Sequence, residues 1–352
     1  TTADEVGKFA EKTGKVEIDE PGRKIIACNN ISVFGFDEKQ KIREHKSQYI
    51  LIHPPNEAKQ LVTSSGRKVK VTHSHSVFTA KDGQVVETKV SNLKKGDYIA
   101  LPRRITVEEN TTPINLIYSL IKNCDEKTLK QLYVRAESEK INEIFARIGK
   151  DQLKQHIIEK KFKNVWSDVV ANWKHWKTIP LSLIKDTNPA IEDLLPELKI
   201  GIKGGKISYN AIISKDENLG IIIGSLLSEG CLETVKRNNK IEQRVSICNK
   251  KKEYLNNFTQ AFAKTFEPSS KQLLAREDGT YNINVGYELL SIILCHGLGI
   301  KLVKSWDKEI PSILLDAPRP CISYFLKSFR EGDGSRGSRY EIRYHTTSQN
   351  LV

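Results

Sequence analysis

Two stretches of this chain end an apolar run in a carboxylate followed by glycine: IIIGSLLSEG, closing at Glu229-Gly230, and FLKSFREGDG, closing at Asp333-Gly334. Apolar residues at helical spacing, with small residues partway along (Gly224, Ser225 and Ser328), predict helices able to approach closely, and each glycine lets the chain turn sharply past the acid. Packed side by side, two such helices bring both carboxylates to one end. Paired carboxylates hold hard divalent cations such as Mg²⁺, and metal sites of that kind suit in-line displacement at phosphate. Each stretch alone also reads as an ordinary core helix with an acidic cap. Their recurrence, about a subdomain of αβ pattern apart on a basic chain, favours a site.

The surrounding pattern falls into three blocks. Residues 1–103 read mostly as β structure: RKIIACNNISVFGFD and QYILIHP are β-rich, and GRKVKVTHSHSVFTA alternates apolar and polar residues. Asp82-Gly83 predicts a hairpin, because both turn positions favour positive φ; Pro54-Pro55 and Ser64-Ser65-Gly66 supply further turns. Residues 104–215 carry apolar residues at helical spacing and predict a separate helical insertion, with KIGIKGGKISYN a small hairpin or loop. Residues 216–352 alternate helix and strand, with a second helix of the acid-ended kind starting the pattern over.

Composition bounds the rest. The 352 residues are 38% hydrophobic and 28% charged, with room for roughly two or three domains. No apolar run approaches the roughly 18 residues a membrane helix needs, and the N-terminus lacks a signal-peptide layout. A cytoplasmic protein without a membrane partner is expected. The cysteines (Cys28, Cys124, Cys231, Cys248, Cys295, Cys321) are scattered without a CxxC pair, which argues against a zinc ribbon or disulfide framework and predicts mostly buried thiols. Lys and Arg outnumber Asp and Glu by 56 to 43, for a formal charge of +13 that suits a polyanion partner. There is no methionine. A fragment, or a sequence from which some residues are missing, is expected; with abundant Ile, Lys and Glu, it leans towards an archaeal or heat-adapted source.

The acid-ended pair resembles the LAGLIDADG homing endonucleases. Gly224–Gly230 fits the end of the first motif and Leu326–Gly334 the second, which places Glu229 and Asp333 at the metal-binding acids. The fit departs at Ser328, where the motif has glycine, and at charged Lys327 and Arg330. SWDKEIPSIL is similar to the family segment with a basic residue before Ile-Pro. By that resemblance Lys308 polarises the scissile phosphate or its attacking water; on its residues alone it is a solvated lysine between Asp307 and Glu309.

VTHSHSVF, followed by VSNLKKGDYIALPRRI, resembles the second block of inteins and related autoprocessing domains, a Thr-x-x-His on a β-rich scaffold. Here that is Thr72 and His75. Amide cleavage needs a proton donor to the departing nitrogen, which a histidine near neutral pKa supplies, while a threonine hydroxyl helps polarise the bond. His73 is expected to be exposed and without a role. An intein also needs an N-terminal Cys or Ser and a C-terminal His-Asn. Cys28 lies inside a strand-like run and does not supply the first, so the chain as it stands is not expected to splice, and its second endonuclease half stops soon after its acid. The insertion carries W-x₂-V-x₃-W-x₂-W-K-x-IPL, similar to a helix-turn-helix ending; DNA contact is expected through Lys174, His175 and Lys177, and Trp166 and Trp173 share one helix face in the manner of core residues.

The expected protein is therefore a multidomain α+β intein: a β-rich Hint splicing domain (1–103), a helical DNA-recognition insertion (104–215) and an αβ LAGLIDADG saddle (216–352). Its cofactor is Mg²⁺. Its partners are a long double-stranded target in the intein-less host gene and the host protein's exteins. A degenerate intein that binds DNA without cutting, or an autoprocessing domain with a non-catalytic insertion, stand as the alternatives.

Overall fold

The opening segment departs at once from the β-rich reading. Val6, Phe9 and Ala10 fall on one face of a helix, α1 (Ala3–Thr13), with Asp4 and Glu5 in its first turn and Lys12 in its last, where they complement the helix dipole. The computed structural model describes residues 3–351 apart from 38, 40, 55–56, 65–66, 102–107, 161–165, 238–239, 267–272, 287, 302 and 338–340, so the expected turn residues Pro55, Ser65 and Gly66 lie outside the described residues. The chain divides into two compact units, Thr1–Val107 and Glu108–Val352.

In the first unit α1 is followed by β1 (Lys15–Glu20), β2 (Arg23–Ala27), β3 (Ser32–Phe36), β4 (Ile42–Lys46), β5 (Tyr49–Ile52), β6 (Ala58–Val62), β7 (Lys68–Thr72), β8 (Ser76–Lys81) and β9 (Gln84–Lys89). β1, β2 and β5 form an antiparallel sheet, and β3–β4, β6–β7 and β8–β9 are separate hairpins. The β8–β9 hairpin turns where the sequence predicts: Lys81 pairs with Gln84, and Asp82 (φ 51°) and Gly83 (φ 76°) both take the left-handed conformation. The buried core described here is small, Ala10, Ile26 and Cys28.

The second unit opens with β10 (Ile114–Asn115), α2 (Leu116–Asn123), α3 (Glu126–Leu129), β11 (Leu132–Arg135), α4 (Ser138–Ile148), α5 (Lys150–Glu159), α6 (Trp166–His175), β12 (Thr178–Pro180), α7 (Leu181–Thr187), β13 (Lys199–Ile202), β14 (Ser208–Asn210) and β15 (Ile212–Ile213). The block read as helical is thus mixed: β12, β11, β13 and β14 form one sheet, with KIGIKGGKISYN its terminal hairpin. Its strands are only two to four residues long. That is too short for alternation to emerge against the flanking helical spacing.

The unit continues with α8 (Glu217–Glu229), β16 (Gly230–Arg237), β17 (Lys240–Asn249), α9 (Lys252–Phe266), β18 (Leu273–Ala275), β19 (Tyr281–Gly286), α10 (Glu288–Ile292, extended by a π turn over Ile293–Gly297), α11 (Arg319–Asp333), β20 (Gly334–Arg336) and β21 (Ile342–Tyr344). β16-β17-β19-β18 form an antiparallel sheet and β20 pairs with β21. An αββ unit therefore occurs twice: α8, β16, β17, then α11, β20, β21. In each, the acid closes the helix and the glycine after it opens the strand. Residues from Ile114 to Phe329 share one continuous apolar core. No helix among the described residues is long and apolar enough to cross a membrane.

Candidate functional site

The two acid-ended helices pack against each other. Asp216 caps the start of α8, its carboxylate accepting from the Asn218 and Leu219 amides at 2.9 and 3.0 Å. Pro320 lies in the first turn of α11, where a missing N–H costs nothing. Contact is as close as the sequence demands: a Cβ at Gly220 would meet the Cys321 carbonyl and the Phe325 amide, and one at Gly224 would lie 2.5 Å from the Phe325 carbonyl and 2.9 Å from Ser328 Cβ. Ser328 does not prevent this. It is buried, and its hydroxyl shares a 2.7 Å hydrogen bond with that of Ser225 and donates to the Ile221 carbonyl at 3.2 Å. Lys327 and Arg330, the other departures from the motif, fall outside the buried contact; the Lys327 ammonium lies 5.6 Å from the Tyr324 ring centroid.

This packing places Glu229 and Asp333 at the same ends of adjacent helices. Both are half-buried. Burial raises the Glu229 carboxyl above its ordinary range and the Asp333 charge raises it further, against a 2.7 Å hydrogen bond from Asn249 Nδ2. Burial likewise raises Asp333, against the positive charges of Lys308 and His345. The His345 amide donates to the Asp333 carbonyl at 2.9 Å, and its Nε2 lies 2.9 Å from Ser335 Oγ. Asn249 and His345 carry no signal in the sequence that singles them out.

Lys308 is not the solvated lysine that its neighbours Asp307 and Glu309 imply: it is 5% exposed. Its Nζ donates to the last carbonyls of α8, Leu227 at 2.8 Å, Gly230 at 3.3 Å and Ser228 at 3.4 Å, so it caps the negative end of that helix. Burial lowers its pKa, opposed by Asp333, Cys231 and Glu229. Lys308, Asp333 and His345 line a common cavity of about 440 Å³. Behind the acids, the Ser228 hydroxyl lies 2.9 Å from that of buried Tyr254.

Two hard carboxylates whose charged forms are both penalised fit a divalent cation, which would relieve burial and mutual repulsion together. Among the described residues no group of three or more His, Cys, Asp or Glu side chains gathers. A cation here would thus complete its shell largely with water or phosphate oxygens, as Mg²⁺ commonly does.

In the first unit Thr72 closes β7 and His75 precedes β8, so both lie on one tight turn, with the His75 amide donating to the Thr72 carbonyl at 3.1 Å. Thr72 Oγ1 lies 3.4 Å from Ser74 Oγ. Thr72 is half-buried and His75 exposed, and the His75 carbonyl accepts from the Val90 amide at 2.8 Å. His73 is half-buried rather than exposed, with Nε2 3.7 Å from Glu57. Cys28 sits just past the end of β2, not within it, buried and 3.9 Å from Thr13 Oγ1. Only Cys28 and Cys321 are buried; Cys231 is exposed and the others are half-buried. Burial pushes the Cys124 and Cys321 thiols up to about 11.

Lys174, His175 and Lys177 lie at the C-terminal end of α6. The Lys174 ammonium lies 5.6 Å from the Phe145 ring centroid, His175 meets Trp176 edge-on at 5.0 Å, and Lys177 pairs with Glu137 at 2.5 Å. Trp173 is buried and stacked on Phe145, Trp166 is partly buried against the core, and Trp176 is exposed. After α6 the chain runs through the short strand β12, paired with β11, into α7. Residues 161–165, in the lysine-rich approach to α6, and 102–107, at the end of the LKKGDYIALPRRI run, lie outside the described residues.

The chain is 25% identical over 352 residues to a DNA polymerase of Methanocaldococcus jannaschii, an alignment covering 87% of this chain and 21% of that protein. It is 25% identical over 372 residues to a DNA polymerase of Thermococcus litoralis, covering 93% and 21%. It thus spans about a fifth of the length of these relatives. Among solved structures, the Mvu mini-intein of transcription factor IIB is 28% identical over 30% of this chain and 58% of its own, with a TM-score of 0.26. Residues 29–285 match the intein splicing domain family, and the chain is a member of that family.

Proposed function

We propose that this intein pairs its splicing domain with a site-specific, Mg²⁺-dependent DNA endonuclease of the LAGLIDADG type, formed by residues 216–352 as a pseudo-symmetric saddle. The observation that carries the reading is the meeting of α8 and α11 through Gly220, Gly224 and Ser328, which sets Glu229 and Asp333 side by side above a buried lysine. In this reading Glu229 and Asp333 hold the cation. Bound there, it would supply an activated water and neutralise charge on the scissile phosphate. Asn249 orients Glu229, and His345 anchors the backbone at Asp333. Lys308 holds the end of α8 in place and contributes positive charge to the cavity that Asp333 lines. Residues 104–215 form the DNA-recognition insertion, with Lys174, His175 and Lys177 meeting backbone phosphate, where basic groups position the duplex without reading it. In the splicing domain (1–103) Thr72 and His75 assist the first amide cleavage. The relatives are archaeal DNA polymerases, so the exteins are the flanks of such a polymerase and the target is its uninterrupted gene.

The test is incubation of the whole chain with plasmid carrying an uninterrupted archaeal DNA polymerase gene, with and without Mg²⁺. Metal-dependent cutting at one site is expected, and Asp333→Asn should abolish cutting while sparing binding. Intact plasmid with measurable binding would replace this reading with that of a degenerate binder; absence of binding would leave the splicing domain alone.

A further inference from the structure

A cavity of about 520 Å³ lies at the end of α6, between Trp173, Trp176 and Thr178 on one side and Tyr133, Arg135 and the Ile202–Gly205 turn on the other. Its walls are aromatic and its charges are of one sign: Arg135 and Lys203 line it, and among the described residues no carboxylate does. The Arg135 guanidinium is built in. Its Nη2 donates to the Ile202 carbonyl at 3.1 Å and to the Gly205 carbonyl at 2.5 Å, while its Nε is buried with no hydrogen-bond partner among the described residues. Gly201 makes room for it, since a Cβ there would collide with that guanidinium. Gly204, at φ 71°, lets the turn fold over beside it. Lys203 makes no ion pair among the described residues. Trp176 is 70% exposed, although a large indole is ordinarily covered in a folded protein.

An exposed indole beside two cations, one of them fixed and the other unpaired, is the combination that holds a base by its π-face and the adjoining phosphate by charge. A duplex offers no free base face at this depth; a single strand, or a nucleotide turned out of a duplex, does. We infer that this cavity binds one unstacked nucleotide of a DNA strand, with the base on Trp176 and its phosphate between Arg135 and Lys203. The inference extends the proposed DNA-cutting function and rests on it for the presence of DNA, but not on the carboxylate pair.

The experiment is fluorescence anisotropy of a labelled oligothymidylate titrated with the whole chain in EDTA, where no cutting occurs. Wild type should bind saturably, Trp176→Ala about 5- to 160-fold more weakly, the range for loss of one stacked base, and Trp176→Phe nearly as wild type. Lys203→Glu should weaken binding and flatten its salt dependence. Both altered side chains are exposed, so folding is not at stake. Failure of wild type to bind, equal binding by Trp176→Ala, or an equal loss in Trp176→Phe overturns the inference. Uncut plasmid together with the Ala/Phe difference would remove the endonuclease and keep the nucleotide site; cut plasmid without that difference would do the reverse.

Discussion

Glu229 and Asp333 are half-buried and close enough to raise each other's charge cost, and the consequence can be measured without DNA. A carboxyl whose folded pKa is raised stabilises the fold only while protonated, and that contribution is lost as pH rises through the folded value. At neutral pH the ionised pair therefore costs stability. Glu229→Gln, which can still accept from Asn249, should raise stability by on the order of 1 kcal/mol, and this gain should shrink as pH falls through the carboxylate range, where wild type protonates as well. Thermal melts across pH would check it; a gain that grew at acid pH would sink it. Mg²⁺ should stabilise wild type by about 1.4 kcal/mol at ten times its Kd and leave Asp333→Asn unmoved. In the splicing domain, His75→Ala should slow extein cleavage about 10²–10⁴-fold if His75 is the proton donor, measured on the chain within its host. At this scale the sequence is informative about the acids, whose helix-then-glycine setting is local. It is uninformative about Asn249 and His345, which reach the acids only through tertiary folding. Lys308 is misread from its neighbours because burial comes from the end of α8, which lies about eighty residues earlier.

The α8–α11 contact is the element on which the site depends. Gly224→Val would put a Cβ 2.5 Å from the Phe325 carbonyl and force the two helices apart, which should cost about 3 kcal/mol and, on the proposed function, abolish cutting by separating the acids. Ser225→Ala and Ser328→Ala should each cost about 1 kcal/mol, with the double variant losing less than their sum by at least about 0.5 kcal/mol, because one deletion already forfeits the shared hydrogen bond. Denaturant titrations of the four chains would decide it; strict additivity would mean that the bond contributes nothing. These helices could be read from spacing because each is long and apolar. The strands among residues 104–215 could not, because β11 has four residues and β12 three, and their pairing is fixed by partners remote in sequence. The opening helix α1 was equally legible in its spacing and charges, yet it lies in a segment dominated by β-rich runs.

Across the whole chain the two units differ in how much apolar surface they bury. Among the described residues the largest buried cluster of the first unit is Ala10, Ile26 and Cys28, and Val33, Phe34, Val62 and Phe78 are exposed, whereas the second buries a continuous core from Ile114 to Phe329. Native-state hydrogen exchange should accordingly find β3–β4 and β6–β7 opening well below the global free energy, and α8 and β17 exchanging only with global unfolding. Comparable protection in both units would contradict this ordering. The three-block division of the sequence does not anticipate the continuous core, because contacts between 104–215 and 216–352 leave no local periodicity.

The hydroxyls that join the two acid-ended helices belong to Ser225 and Ser328, 103 residues apart. At a synthesis rate of about 5–20 residues per second, roughly 5–20 s separate the emergence of α8 from that of its partner. Throughout that interval a helix built to be buried on nearly every side has nothing to cover the face that will receive α11. The nascent chain is then aggregation-prone, and the two carboxylates cannot meet until α11 has left the ribosome. Assembly of the carboxylate pair is thus timed by translation itself, and a product truncated before α11 would expose the apolar face of α8 and lack half of the pair.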